Sequence, residues 1–109
     1  MQKAYYVDGV TISGGEPLDQ ADELFELVTR LRELGYHIIL FSGYTFEQIM
    51  EDEKKRVCLE KVDVLIDGEY MEEFRSLELR FRGSSNQRVI DVPASVMAGQ
   101  AIVLDWEAE

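Results

Sequence analysis

Short, nearly unbroken apolar runs alternate along this chain with spaced apolar positions, and the two patterns predict different elements. Gly9-Val10-Thr11-Ile12-Ser13 is a β-rich run ended by Gly14-Gly15 and followed by Glu16-Pro17, so it predicts a strand leading into a loop. From about Asp19 to Leu34, the residues Leu24, Leu27, Val28, Leu31 and Leu34 recur at the three- and four-residue spacing of one helical face. Acids gather early in that stretch and Arg30 and Arg32 late, as the helix dipole favours, and Gly35 is placed to stop it. Tyr36 to Phe41 is nearly continuous apolar, the mark of a parallel strand covered on both faces. Phe46 to about Glu53 predicts a short helix, Lys54 to Leu59 a second helical turn, and Val62 to Ile66 a third strand that ends at Asp67-Gly68-Glu69. Beyond Glu69 the pattern loosens. Arg80 to Asn86 reads as an extended loop, Arg88 to Val92 as a strand and Ala101 to Asp105 as another, with Pro93 and Gly99 punctuating the link between them.

Strand, helix, strand, helix, strand implies right-handed βαβ units, hence an α/β fold with a mostly parallel sheet. No internal repeat, low-complexity tract or Gly/Ser/Pro-rich linker interrupts the chain, which predicts a single domain over residues 1–109. Hydrophobic residues make up 46% and charged residues 30%, values that argue against a disordered tail. No apolar run approaches the roughly 20 residues that cross a bilayer, and Met1 to Asp8 is too short and polar for a signal peptide. The expected location is the cytoplasm, with no membrane partner.

Twenty-two acidic residues against eleven basic ones leave a net charge of -11, a field that repels phosphate backbones, so nucleic acid is not an expected partner. Cys58 is the only cysteine and His37 the only histidine, so one chain can build neither an internal disulfide nor a thiolate metal centre. In parallel α/β sheets, ligands sit beyond the carboxyl ends of the strands. Those ends carry Ser13-Gly14-Gly15-Glu16, then Ser42-Gly43-Tyr44, then Asp67-Gly68-Glu69. Glycines there let a ligand approach the backbone, and carboxylates suit ribose hydroxyls or a cationic amine. The same residues equally suit plain turns and helix caps, and pattern alone does not choose between the two.

The wider string carries more. Asp8-Gly9-Val10-Thr11-Ile12-Ser13-Gly14-Gly15-Glu16-Pro17-Leu18 resembles the second strand and Gly-Gly-Glu-Pro motif of radical S-adenosylmethionine enzymes. Leu40 to Thr45, Val62 to Tyr70 and Leu79 to Arg88 are similar, in that order, to segments of the activating enzymes of anaerobic ribonucleotide reductase, so the resemblance runs from Gly9 to about Val92. It implies a partial (βα) barrel and reductive cleavage of S-adenosylmethionine at a 4Fe-4S cluster. The resulting deoxyadenosyl radical abstracts hydrogen from a glycine of the partner reductase. By the same resemblance Gly14, Gly15 and Glu16 hold the methionine end of the cofactor, while Ser42 and Asp67 line the same pocket, Asp67 reaching the ribose.

The departure from that family is as informative. Its members ligate the cluster through a Cys-x3-Cys-x2-Cys loop upstream of the Gly-Gly-Glu strand, and here neither that loop nor a preceding first strand is present. Cys58 lies between the second and third strands and reads as a small buried hydrophobe. The expectation is therefore a later portion of such an enzyme, inactive alone and binding S-adenosylmethionine weakly. The alternative is a non-catalytic module that recognises a nucleoside or the reductase. A sheet that begins at Val10 exposes an edge, which predicts a homo-oligomer or a cover formed by Tyr5 to Asp8. Arg80, Arg82 and Arg88, gathered around Gly83 to Gln87 against the acidic field, suit an anion site; His37 and the aromatics Tyr5, Tyr6 and Trp106 read as structural.

Overall fold

A computed structural model describes residues 9–68 and 87–104. Its elements follow the order β1 (Gly9–Ile12), a 3-10 turn (Pro17–Gln20), α1 (Ala21–Glu33), β2 (His37–Phe41), α2 (Phe46–Met50), α3 (Glu53–Leu59), β3 (Val64–Asp67), β4 (Arg88–Asp91) and α4 (Val92–Ala98). The four strands form one sheet in sequence order. β1, β2 and β3 run parallel and β4 pairs antiparallel with β3, Asp67 opposite Arg88. The α/β class and mostly parallel sheet expected from the sequence are present as a mixed four-stranded sheet. β1 stands at its edge among the described residues. Tyr5 to Asp8, Glu69, Arg80 to Asn86 and Asp105 to Trp106 lie outside those residues.

Side chains of a strand alternate between faces, and here the alternation divides the core in two. Ile38, Leu40, Leu65 and Ile90 point to the face covered by helices, joining Leu24, Val28, Phe46, Ile49, Cys58 and Leu59 in the main core. Val64, Ile66 and Val89 point the other way and form a small second cluster with Ile39, Phe41 and Leu104 against it. β3 is buried at all four positions, whereas β2 is fully buried only at Ile38 and Leu40. The apolar face of α1 is also narrower than its leucines suggest. Leu24 and Val28 are buried, and Ala21 and Leu31 pack beside them on the same stripe, but Leu27 and Leu34 are exposed.

Capping explains where the helices start. Asp52 accepts hydrogen bonds from the backbone N–H groups of Lys54 and Lys55, so the first predicted helix ends at Met50 as α2 and the second predicted helical turn starts at Glu53 as α3. Thr45 and Gln48 form a reciprocal capping box on α2. The link around Pro93 is a helix rather than a connection. Asp91 caps it by accepting from the Ala94 N–H, Pro93 occupies its first turn, and Gly99 ends it at φ 75°. Among the described residues the strand expected over Ala101 to Asp105 reduces to one bridge between Val103 and Ile90, where the Asp91 N–H donates to the Ile102 carbonyl and the Leu104 N–H to the Val89 carbonyl.

Candidate functional site

The three parallel strands end side by side, so their following loops converge on one edge of the sheet. Gly14 at φ 101° and Gly68 at φ 97° turn the chain directly after β1 and β3 in a region that other residues rarely enter. A Cβ on Gly14 would meet nothing within 4 Å, so backbone conformation and not crowding demands glycine there. Between the loops lies a cleft of about 250 Å³, lined by Ser13, Gly14, Gly15, Ser42, Gly43 and Gly68 with Phe41 and Gln87. Of the five residues singled out from the sequence, Gly14, Gly15 and Ser42 line this cleft, while Glu16 and Asp67 do not; Glu16 lines a neighbouring pocket of about 270 Å³ together with Ser13 and Gly15.

Glu16 spans the first two loops. One carboxylate oxygen accepts from the Ser42 hydroxyl at 2.9 Å and the Leu18 N–H at 3.0 Å; the other accepts from the Gly43 N–H at 2.7 Å. Ser42 Oγ in turn accepts from the Tyr44 N–H at 3.0 Å, and the Tyr44 hydroxyl donates to Asp19 at 2.6 Å, a bond that raises the tyrosine pKa. Asp67 is 1% exposed. Its carboxylate accepts from the Phe46 N–H at 2.7 Å and takes two donors from Arg88, at 3.1 and 2.5 Å.

Arg88 also reaches Glu47 at 2.8 Å, so one guanidinium joins the end of β3, the start of β4 and the first turn of α2. The hydrogen bond to Asp67, and then that to Glu47, hold the arginine more firmly protonated than usual. Its hydrogen bond pulls the Glu47 carboxyl below the ordinary range. The anion-site expectation is thereby altered for Arg88, whose charge is matched by two carboxylates of its own chain. Arg80 and Arg82 lie outside the described residues. This ion-pair network escaped the sequence reading because Asp67 and Arg88 are separated by 20 intervening residues and meet only through strand pairing.

The remaining candidates lie elsewhere. His37 opens β2 at the opposite end of the sheet, exposed. Cys58 is fully buried on α3 and donates to the Ala21 carbonyl at 3.2 Å; burial and the nearby Asp22 charge push its thiol up to about 11. No group of three or more His, Cys, Asp or Glu side chains among the described residues could hold a metal ion. No helix among them is long and apolar enough to cross a membrane.

Comparison with known proteins identifies the family. Residues 1–90 match the family described as a 4Fe-4S single cluster domain. The chain is similar to three proteins named anaerobic ribonucleoside-triphosphate reductase-activating protein. It is 39% identical over 88 residues to that of Enterobacteria phage T4, covering 77% of this chain and 53% of the phage protein. For Vibrio cholerae serotype O1 the identity is 34% over 83 residues, 72% of this chain and 52% of the relative. For Escherichia coli strain K12 it is 33% over 85 residues, 74% and 54%. The chain thus spans about half the length of the curated relatives it matches. No solved structure matches it.

Proposed function

The chain belongs to the 4Fe-4S single cluster domain family, and from that membership we propose that it is part of a radical S-adenosylmethionine activating protein for anaerobic ribonucleotide reductase. The observation that carries this reading is the cleft at three adjacent parallel strand ends, walled by the Gly14-Gly15-Glu16 loop. In the proposed whole protein the sheet is a segment of a partial (βα) barrel. The cleft takes one end of S-adenosylmethionine: at about 250 Å³ it falls below the roughly 300 Å³ at which pockets begin to enclose a drug-sized ligand. Gly14 and Gly15 bring bare backbone to that ligand, Ser42 offers a hydroxyl, and Glu16 and Asp67 fix the loops that carry them.

The residues described do not fit a 4Fe-4S cluster. Such a cluster takes thiolates, and the single thiol, Cys58, is buried beneath α1 with its pKa raised, on a helix rather than at the strand-end loops. No step through a cluster is therefore assigned to this chain, and by itself it is proposed to be inactive in radical generation. The solitary thiol also favours a second reading, a non-catalytic module that binds a nucleoside or the reductase.

Titration of the chain with S-adenosylmethionine, followed by backbone amide shifts, tests the first reading. Binding is expected near the millimolar regime, about 4 kcal/mol weaker than micromolar, because no metal takes up the methionine end. Shifts should be confined to the loops after Ile12, Phe41 and Asp67. Saturating ligand that moves none of them overturns the cofactor site. Anaerobic reconstitution with iron and sulfide is expected to leave the chain colourless, and a stoichiometric cluster would overturn its exclusion.

A further inference from the structure

Two carboxylates at the strand ends look from the sequence like ligand groups, yet among the described residues no charged side chain lines the cleft between the loops. A carboxylate has about four lone-pair sites. Glu16 uses three of them on donors from its own chain, and so does Asp67. Three of these six donors share a feature: Ser42, Gly43 and Phe46 bracket the segment between β2 and α2. Glu16 grips it from the β1 side and Asp67 from the β3 side. The segment has further anchors, since the Ser42 N–H donates to the Ile66 carbonyl and the Gly68 N–H to the Tyr44 carbonyl. Ser42, Gly43 and Gly68 are themselves cleft-lining residues.

We propose that Glu16 and Asp67 are positioning residues that clamp the Ser42–Phe46 segment from its two flanks and so set the shape of the cleft, the ligand meeting backbone and hydroxyl groups and neither carboxylate. The proposal rests on reading the cleft as the S-adenosylmethionine site. The sulfonium and ammonium of that ligand would ordinarily invite a carboxylate contact. Here the negative charge is turned inward onto N–H, O–H and guanidinium donors.

Glutamine at position 16 separates the two roles, because Glu16→Gln removes the charge and keeps an acceptor oxygen. Hydrogen exchange at the Gly43 amide reads the clamp without any ligand. In Glu16→Ala it should quicken roughly ten-fold, the loss of about one hydrogen bond, and by more than Leu65 in the sheet centre, whose exchange follows global stability. Glu16→Gln keeps one acceptor oxygen, which can face Gly43 or Leu18 and Ser42 but not both, so Gly43 protection and S-adenosylmethionine affinity should be kept together or lost together. Equal loss of affinity in the Gln and Ala variants, with Gly43 protection intact, would make Glu16 a direct charge contact and overturn the proposal. If Glu16→Ala does not fold, Ser42→Ala serves in its place: it keeps the charge and removes one clamp bond, so faster Gly43 exchange supports the clamp and unchanged exchange refutes it. Asp67→Ala should quicken exchange at Phe46 more than at Gly43; a Phe46 amide no faster than Gly43 removes Asp67 from the clamp. Should S-adenosylmethionine move no amide in the wild type, the cofactor reading fails while the exchange data still decide the clamp.

Discussion

The two flanks of the segment after β2 are held by the same functional group under opposite conditions. On the β1 side Glu16 is half-buried and meets neutral donors, two of them backbone N–H groups. On the β3 side Asp67 is sealed from solvent and shares its charge with Arg88, whose side chain is 34% exposed. A half-buried carboxylate can recover water when its partners are lost, whereas removing one member of a buried pair strands the other in low dielectric. One flank should therefore be adjustable and the other fixed.

The largest effect should follow Asp67→Ala, which leaves Arg88 short of its main partner and the Phe46 N–H without an acceptor. A loss of about 3 to 4 kcal/mol is expected in urea denaturation, the exposed part of Arg88 keeping it at the low end for a broken buried pair. A loss below about 1 kcal/mol would erase the contrast between flanks.

Cys58 supplies a reference remote from both. Its thiol keeps its proton in the fold up to about pH 11, while the unfolded chain releases it near 8.5. The folded state then binds more protons than the unfolded one, so stability is intact below the unfolded value and falls as pH rises toward the folded one. The wild type should lose about 2 to 3 kcal/mol more than Cys58→Ala between pH 8 and 11. Parallel stability curves for the two proteins would show that the thiol does not titrate in this way.

Glu16→Ala comes next, at about 1 to 2 kcal/mol, the net worth of hydrogen bonds to a partly solvated acceptor. Thermal melts at pH 7 would measure it, and a loss equal to that of Asp67→Ala would mean that burial does not separate the flanks. Smallest is Glu47→Gln, at about 0.5 kcal/mol, because that carboxylate is 59% exposed. Arg88 holds its pKa low, so its contribution is present above the unfolded value and fades as pH falls through the folded one. Acid unfolding of the two proteins should differ at pH 6 and converge in strong acid.

Sequence pattern located the parallel part of the fold well, because each apolar run there is short and meets a glycine within two residues of its end, and the first two are followed by helical spacing. The three strand-end loops were legible for the same reason. The direction of side chains was not. Glu16 reads as a ligand until Ser42 and Gly43, on a different loop, are seen to consume its oxygens. The narrow stripe of α1 was hidden because five leucine and valine positions fit one helical face by spacing alone, while the sheet beneath covers only part of it. Pro93 suggested an interruption, although a proline in the first turn starts a helix as readily as it breaks one.

Asp91 is at once the last ladder residue of β4 and the cap of α4, so no residue separates the strand from the helix. Val89 and Ile90 face opposite cores, and moving β4 by one position would exchange them and carry the cap out of reach of Ala94. The junction therefore has no slack to absorb length variation. Insertions and deletions that a surface turn would accommodate should be refused between Asp91 and Val92, which makes this the poorest place in the described chain to graft a tag, split the protein or permute its ends.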